Sequence, residues 1–286
     1  MKHAFLILAH KNPTQLMWMI SALQAENSWF FVHVDQKSNL LNFLQSMIEF
    51  PKNVQICKKQ FNINWGGFSM IEATVSLMRM VCDSDLHPDY VHLLSGQDFP
   101  LCSISKIDCF FENNSGKNFI NYFTIPYDGW AYNGGLDRIN YKWDIDNGEK
   151  EKSQLDTCSF PEGIQPYGGW QWWSLTGECV EWLTEICRPG ELLYDFYRHT
   201  LIPDEMFFQT VIMHYSHIIQ TIHHLTERID NTYVNIRINY DEKTLHHINE
   251  LLNDLLELDR KKVGIHFERV WQTENKTDNS LPSDGC

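Results

Sequence analysis

Ala4 to Ala9 is an unbroken apolar run of strand length, and Asn12-Pro13-Thr14-Gln15 after it has the form of an N-cap, an N1 proline and a capping-box glutamine. This succession of buried strand and capped helix constrains the chain most, because it repeats. Leu16, Met19, Ile20 and Leu23 give the first helix an apolar stripe, and Trp29 to Val34 is a second strand-like run closed by Asp35. Val54 to Cys57 reads as a third strand. Ser69-Met70-Ile71-Glu72 then has the form of a capping box for a helix carrying Ile71, Val75, Met78 and Cys82 at helical intervals, and Tyr90 to Leu94 is a fourth buried strand. Strands alternating with helices imply parallel pairing and an α/β fold, whose ligands bind at the carboxyl ends of the strands. His10, Asp35 and the turn Ser95-Gly96-Gln97-Asp98 all sit at such ends.

The second half is less regular. Phe119 to Ile125 reads as a strand, and Tyr127 to Gly169 as a long, partly irregular insertion. Its Trp130, Tyr132, Tyr141, Trp143 and Tyr167 could stack on sugars or form a small core under the loop. Gly169 to Leu175 reads as a strand, with Thr176 capping a helix that ends near Arg188-Pro189-Gly190. Ile202-Pro203-Asp204-Glu205 reads as a helix start, followed by Phe207, Phe208, Val211, Ile212 and Tyr215 on one buried face. Glu205 lies at the rim of that face. From the residues alone its carboxylate either complements the helix dipole or serves as a base. Tyr233 to Tyr240 alternates as a half-exposed strand presenting Arg237, Leu245 to Leu256 marks a last amphipathic helix, and 272–286 reads as a disordered tail.

A net charge of −14 argues against nucleic acid or an anionic membrane as a general partner, so membrane association is at most peripheral. The eight cysteines form no CxxC pair, and buried reduced thiols are favoured over zinc or disulfides. Asp144-Ile145-Asp146 has a spacing that, on a strand, would turn two carboxylates to one side to hold a divalent cation, but Asn147-Gly148 directly after it is a turn signal. It reads as a surface turn, and no metal is expected.

Six segments occur together in one order: Ala9-His10-Lys11, His33-Val34-Asp35-Gln36-Lys37, Trp65-Gly66-Gly67-Phe68-Ser69 with Glu72-Ala73, Leu94 to Pro100, Trp172-Trp173-Ser174-Leu175, and Pro203-Asp204-Glu205. On these the chain resembles the core-2/I-branching glycosyltransferases, which include β-1,6-N-acetylglucosaminyltransferases and peptide O-xylosyltransferases. The resemblance implies a GT-A type fold, a Rossmann-like mixed sheet flanked by helices in a single domain over 1–271. The nucleotide part would be about 1–125 and the acceptor and catalytic part about 126–271. It also implies an inverting, metal-independent transfer of a sugar, GlcNAc or xylose, from a UDP-sugar to a glycan hydroxyl, with no cofactor. Glu205 takes the role of base. His10, Asp35, Ser95, Gly96, Asp98, Arg237 and Arg269 are assigned to the nucleotide and diphosphate, and Arg138, Trp172, Trp173 and Asp204 to the acceptor side. Val270 stands where the family has a lysine, so which cation completes the diphosphate site stays open. The expected setting is a bacterial cytoplasm, with a growing surface polysaccharide, lipid-linked or free, as acceptor. A glycoside hydrolase with paired carboxylates and a tryptophan-rich sugar-binding module are the alternatives.

Overall fold

The computed structural model describes residues 1–46, 51–146 and 157–216. Met1–His214 belong to one compact unit, and the description below is of that unit. The repeated strand and helix pattern becomes β1 (His3–Ala9), α1 (Pro13–Ala22), β2 (Ser28–Val34), α2 (Leu40–Gln45), β3 (Val54–Ile56), α3 (Ser69–Cys82) and β4 (Tyr90–Ser95). All four strands are parallel, β1 lying between β2 and β4, and every residue of β1 is buried because the sheet is covered on both faces. The chain winds outward from β1 to β3 and then returns to lay β4 on the other side of β1. Such a reversal of strand order opens a crevice at the carboxyl edge.

After α4 (Ile104–Asn113) come the short strands β5 (Phe119–Ile120) and β6 (Phe123–Thr124), the helices α5 (Ala131–Gly134) and α6 (Leu136–Ile139), and strands β7 (Tyr167–Gly168) and β8 (Trp173–Thr176). The six-stranded sheet runs β3-β2-β1-β4-β8-β5, with β8 antiparallel to both neighbours, and β6 pairs with β7 separately. This is a mixed, GT-A-like α/β sheet flanked by helices. The strand expected over Phe119 to Ile125 is therefore split between two sheets. Gly169 wedges against the Asn121 carbonyl, where any Cβ would collide with it. Helices α7 (Gly177–Ile186) and α8 (Leu192–Tyr197) follow, then a single 3-10 turn, Pro203–Glu205, and a helix at 207–216, here α9.

The apolar stripe of α1 packs as expected: Leu16, Met19, Ile20 and the following Leu23 join Phe5, Ile7, Phe30 and Val32 in one core cluster. Each such side chain contributes roughly 1.5–3 kcal/mol by leaving water. Thr176 caps α7, its hydroxyl accepting from Cys179 N at 3.2 Å, as expected. The two expected capping boxes do not form. Asn12 has φ 52° and sends its amide to Gln97 Oε1 at 2.9 Å, while Gln15 donates to the Asp98 carbonyl at 3.1 Å. Both side chains thus bridge the crevice between β1 and β4 and do not cap their own helix. Ser69 points away from its own helix, toward Asp146. Of the cysteines, Cys109 is disulfide-bonded, against the reading of reduced thiols, while Cys57, Cys82, Cys102, Cys158, Cys179 and Cys187 are free. The strand expected at Tyr233 to Tyr240, the helix to Leu256, the tail, Arg237 and Arg269 lie outside the described residues.

At the opposite, amino end of the sheet His3 and His92 lie side by side in β1 and β4, both buried. His3 Nε2 meets Asp108 at 2.9 Å, His3 Nδ1 meets His92 Nε2 at 2.8 Å, and His92 Nδ1 meets the Ser174 hydroxyl at 2.8 Å. One proton arrangement satisfies every contact: Ser174 donates to His92, His92 to His3, and His3 to Asp108. Burial holds both imidazoles neutral, lowering His3 and taking His92 down to about 3. A histidine whose folded pKa lies below its ordinary 6.5 stabilises the fold above that value and destabilises it as pH falls. Unfolding free energy should therefore decline below pH 6.5, by up to about 1.4 kcal/mol per pH unit for each histidine. Urea unfolding of His92→Gln between pH 6 and 4.5 should show a slope shallower by about one proton than the parent; an unchanged slope would assign the acid sensitivity elsewhere.

Candidate active site

The residues Ile202-Pro203-Asp204-Glu205 do not begin an α-helix. Proline ends the preceding chain, but Met206 departs from helical geometry (φ −139°), so Pro203–Glu205 form a 3-10 turn of their own before α9. The turn is held from two sides. Ile202 N donates to the Gly66 carbonyl at 2.9 Å, and Gly169 N donates to the Glu205 carbonyl at 2.8 Å. Gly66 has φ +78°, and a Cβ there would press on Ile202 at 3.3 Å, so glycine is what allows the approach. Helix α9 is also buried more fully than a single apolar face predicts: Phe207 to Ile212 are all buried, Gln209 and Thr210 among them. Thr210 accepts from Tyr167 N at 2.9 Å and from the Tyr197 hydroxyl at 2.7 Å, which satisfies it inside the core.

Glu205 and Arg138, expected in separate catalytic and acceptor roles, are brought into direct contact. Arg138 Nη1 donates to Glu205 Oε2 at 2.8 Å, and its guanidinium lies 3.7 Å above the Trp130 ring. Stacked on the indole and bonded to the acid, the arginine has few other orientations available. It fixes one oxygen of Glu205 and leaves Oε1 with no partner among the described residues. The Glu205 side chain is 29% exposed, so that oxygen can be reached. Asp204, beside it, is pushed up to about 6, chiefly by burial and further by Glu205, with its own backbone N–H and Arg138 opposing.

The residues assigned to the nucleotide gather at the carboxyl edge, as the topology requires. Exposed His10 follows β1, Asp35 follows β2 and the Ser95–Asp98 turn follows β4, with Ala9 in register with Val34 and Leu8 with Ser95. Gly96 N donates to the Leu8 carbonyl at 2.8 Å, and a Cβ on Gly96 would meet that of Ala9 at 2.9 Å. Asp98 closes its own turn by accepting from Ser95 N at 2.8 Å. Asp35 accepts from Lys37 N at 3.0 Å and from Ile63 N at 3.4 Å, tying β2 to the loop that carries Gly66.

The tryptophans divide. Trp173 is buried in β8 with its ring 5.8 Å from that of Phe208, so it belongs to the core and not to an acceptor surface. Trp172, which directly precedes β8, is exposed. Two further exposed indoles were not assigned from sequence: Trp65 directly precedes Gly66, and Trp170 directly follows Gly169. Both glycines hold the Pro203–Glu205 turn by backbone bonds, so the turn is bracketed by two glycines that each neighbour an exposed tryptophan. Within the insertion Trp143 and Tyr167 are buried and Trp130 carries Arg138, which answers most of that aromatic set as a small core. Buried Gln171 Nε2 and Gln209 Oε1, close in chain to Trp172 and α9, lack hydrogen-bond partners among the described residues.

A model of the Core-2/I-branching enzyme family matches residues 3–250. The chain belongs to this family. The matched span contains Glu205 and Arg237 and stops short of Arg269. The chain is 30% identical over 222 residues to "Xylosyltransferase oxt" of Drosophila melanogaster, covering 76% of this chain and 24% of that protein. It is 28% identical over 215 residues to "Xylosyltransferase 2" of Pan troglodytes (73% and 24%), and 27% identical over 222 residues to "Xylosyltransferase 1" of Canis lupus familiaris (75% and 22%). The chain thus spans about a quarter of the length of these curated relatives.

The Asp204 carboxyl gives the site a pH signature. Because its folded pKa lies above its ordinary 3.8, its stabilising contribution is complete below about pH 4 and is lost as pH rises through about 6. Asp204→Asn cannot charge. It should match the parent at pH 4 and exceed it at pH 8 by up to roughly 3 kcal/mol in urea unfolding; a gain confined to low pH would contradict the burial of this carboxyl.

Proposed function

We propose that this chain is an inverting, metal-independent glycosyltransferase that moves a sugar from a UDP-sugar to the hydroxyl of a glycan or protein acceptor. One observation carries the reading: Glu205 is held on one oxygen by Arg138, with the other open, in a part-exposed turn bracketed by two glycines that each neighbour an exposed tryptophan. A carboxylate so oriented suits a general base. In the step, Glu205 Oε1 takes the acceptor proton as the acceptor oxygen bonds to the anomeric carbon, and the bond to the diphosphate oxygen breaks on the opposite face. The configuration inverts. A diphosphate leaving group needs no protonated acid, only cations to receive its charge, and Arg237 with Arg269 or Lys243 is proposed for that work.

The donor belongs at the crevice between β1 and β4, where His10, Asp35, Ser95, Gly96 and Asp98 converge. The names of the similar proteins favour xylose over GlcNAc as its sugar. Trp65, Trp170 and Trp172 offer flat faces to sugar rings, and the unpartnered amide atoms of Gln171 and Gln209 suit sugar hydroxyls. A surface polysaccharide acceptor and a cytoplasmic setting complete the proposal.

Glu205→Gln should keep the thermal protection given by UDP-xylose or UDP while transfer falls by roughly 10²–10⁴. Near-normal turnover would remove Glu205 from the role of base. Transfer should also continue in EDTA, and loss that manganese restores would reject metal independence.

A further inference from the structure

The Asp-x-Asp spacing at Asp144-Ile145-Asp146 is not a bare surface turn. The Asp146 carboxylate accepts from Ser69 N at 2.8 Å, from the Ser69 hydroxyl at 2.7 Å and from Asn64 Nδ2 at 3.3 Å. It therefore supplies, from 77 residues away in the chain, the cap of α3 that Ser69 was expected to form by itself. Gly67 makes room for it, since a Cβ there would overlap Asp146 Oδ1. Both carboxylate oxygens are engaged by N–H and O–H donors.

We propose that Asp146 is a positioning residue for Glu205, an inference that rests on Glu205 being the base. The connection is short. Asp146 closes the loop Asn64–Ser69, which is braced internally by Asn64 N to Ser69 Oγ at 3.0 Å and Gly67 N to the Asn64 carbonyl at 2.9 Å. Within that loop the Gly66 carbonyl holds Ile202 N, and the Ile202 carbonyl in turn accepts from Glu205 N at 3.3 Å. Ile145, the neighbour of Asp146, lies over Gly66 together with Leu201 and Ile202. On its other side the loop is tied to the end of β2 through Ile63 N to Asp35, and through Lys37 Nζ to Asn64 Oδ1 at 3.3 Å. Asp146 thus locks one loop between the donor-side strand end and the turn that carries the base. A local cap on Ser69 would finish α3 equally well but would not join these parts.

The test compares Asp146→Asn, Gly67→Ala, Glu205→Gln and the pair Asp146→Ala with Ser69→Asp, reading kcat, donor KM, melting temperature and UDP protection. Asp146→Asn and Gly67→Ala should each lower kcat roughly 10- to 100-fold, the scale of a small misplacement of a catalytic group, with donor KM and UDP protection within about twofold. The Ser69→Asp pair should regain melting temperature through a local helix cap while kcat stays low. Recovery of kcat together with melting temperature would reduce Asp146 to a helix cap and overturn the inference. So would a normal kcat in Asp146→Asn beside an inactive Glu205→Gln. Full activity of Glu205→Gln would instead reject the base and leave the loop geometry standing.

Discussion

The contact between the Gly66 carbonyl and Ile202 N is the point on which the candidate site turns. Ile202 is β-branched and sits at φ 51°, a left-handed conformation that costs such a residue on the order of 1–3 kcal/mol. It persists because the surroundings over-determine it. Its N–H has a partner, Pro203 after it is buried, and Gly66 leaves space that no other residue would leave. The strained residue reverses the chain so that Asp204 and Glu205 emerge from the core on a single 3-10 turn. Without that reversal Pro203 would open a continuous helix, and Glu205 would give its carbonyl to that helix and not to Gly169.

The strand ends and the turn are two halves of one device. The carboxyl ends of β1, β2 and β4 gather His10, Asp35 and the Ser95–Asp98 turn, which suits recognition of a nucleotide but leaves the chemistry unprovided. The proposed base comes from much later in the chain and is held to a loop following β3. Glycine does this twice, at Gly66 and at Gly169, each time because a backbone group has to approach closer than a side chain permits.

The sheet, its order of elements and the cluster at the strand ends were legible from local pattern, because buried parallel strands are mostly apolar and helices must show a stripe. Thr176 does cap its own helix, but the two capping boxes, which also assumed local partners, do not form. Asn12, Gln15 and Ser69 have the right spacing for capping boxes, yet each finds its bond across the fold, at Gln97, Asp98 and Asp146. Trp173 and Trp172 are adjacent in sequence and opposite in fate, since β8 begins between them and the local pattern over 169–175 did not say where the strand starts. The pairing of Arg138 with Glu205 spans 67 residues and had no local signal, although both residues had been singled out separately. Trp65 and Trp170 could have been found by their position next to glycines that hold the turn.

The distribution of acids argues for Glu205 independently of any relative. Five carboxylates border the proposed reaction space: Asp35, Asp98, Asp146, Asp204 and Glu205. Asp35 accepts two backbone N–H groups, Asp98 accepts one within its own turn, and Asp146 accepts both donors of Ser69. A carboxylate whose lone pairs hold backbone in place cannot take an acceptor proton without loosening what it holds. Asp204 is buried enough to bind its proton up to about pH 6, which makes it a poor partner for a charged intermediate and a reasonable packing neighbour. The Glu205 carboxylate is held by a side chain with no backbone N–H among the described residues, and that arginine is itself anchored on an indole. It can exchange a proton at its second oxygen while the backbone around it stays where it is, which is what repeated turnover demands of a base.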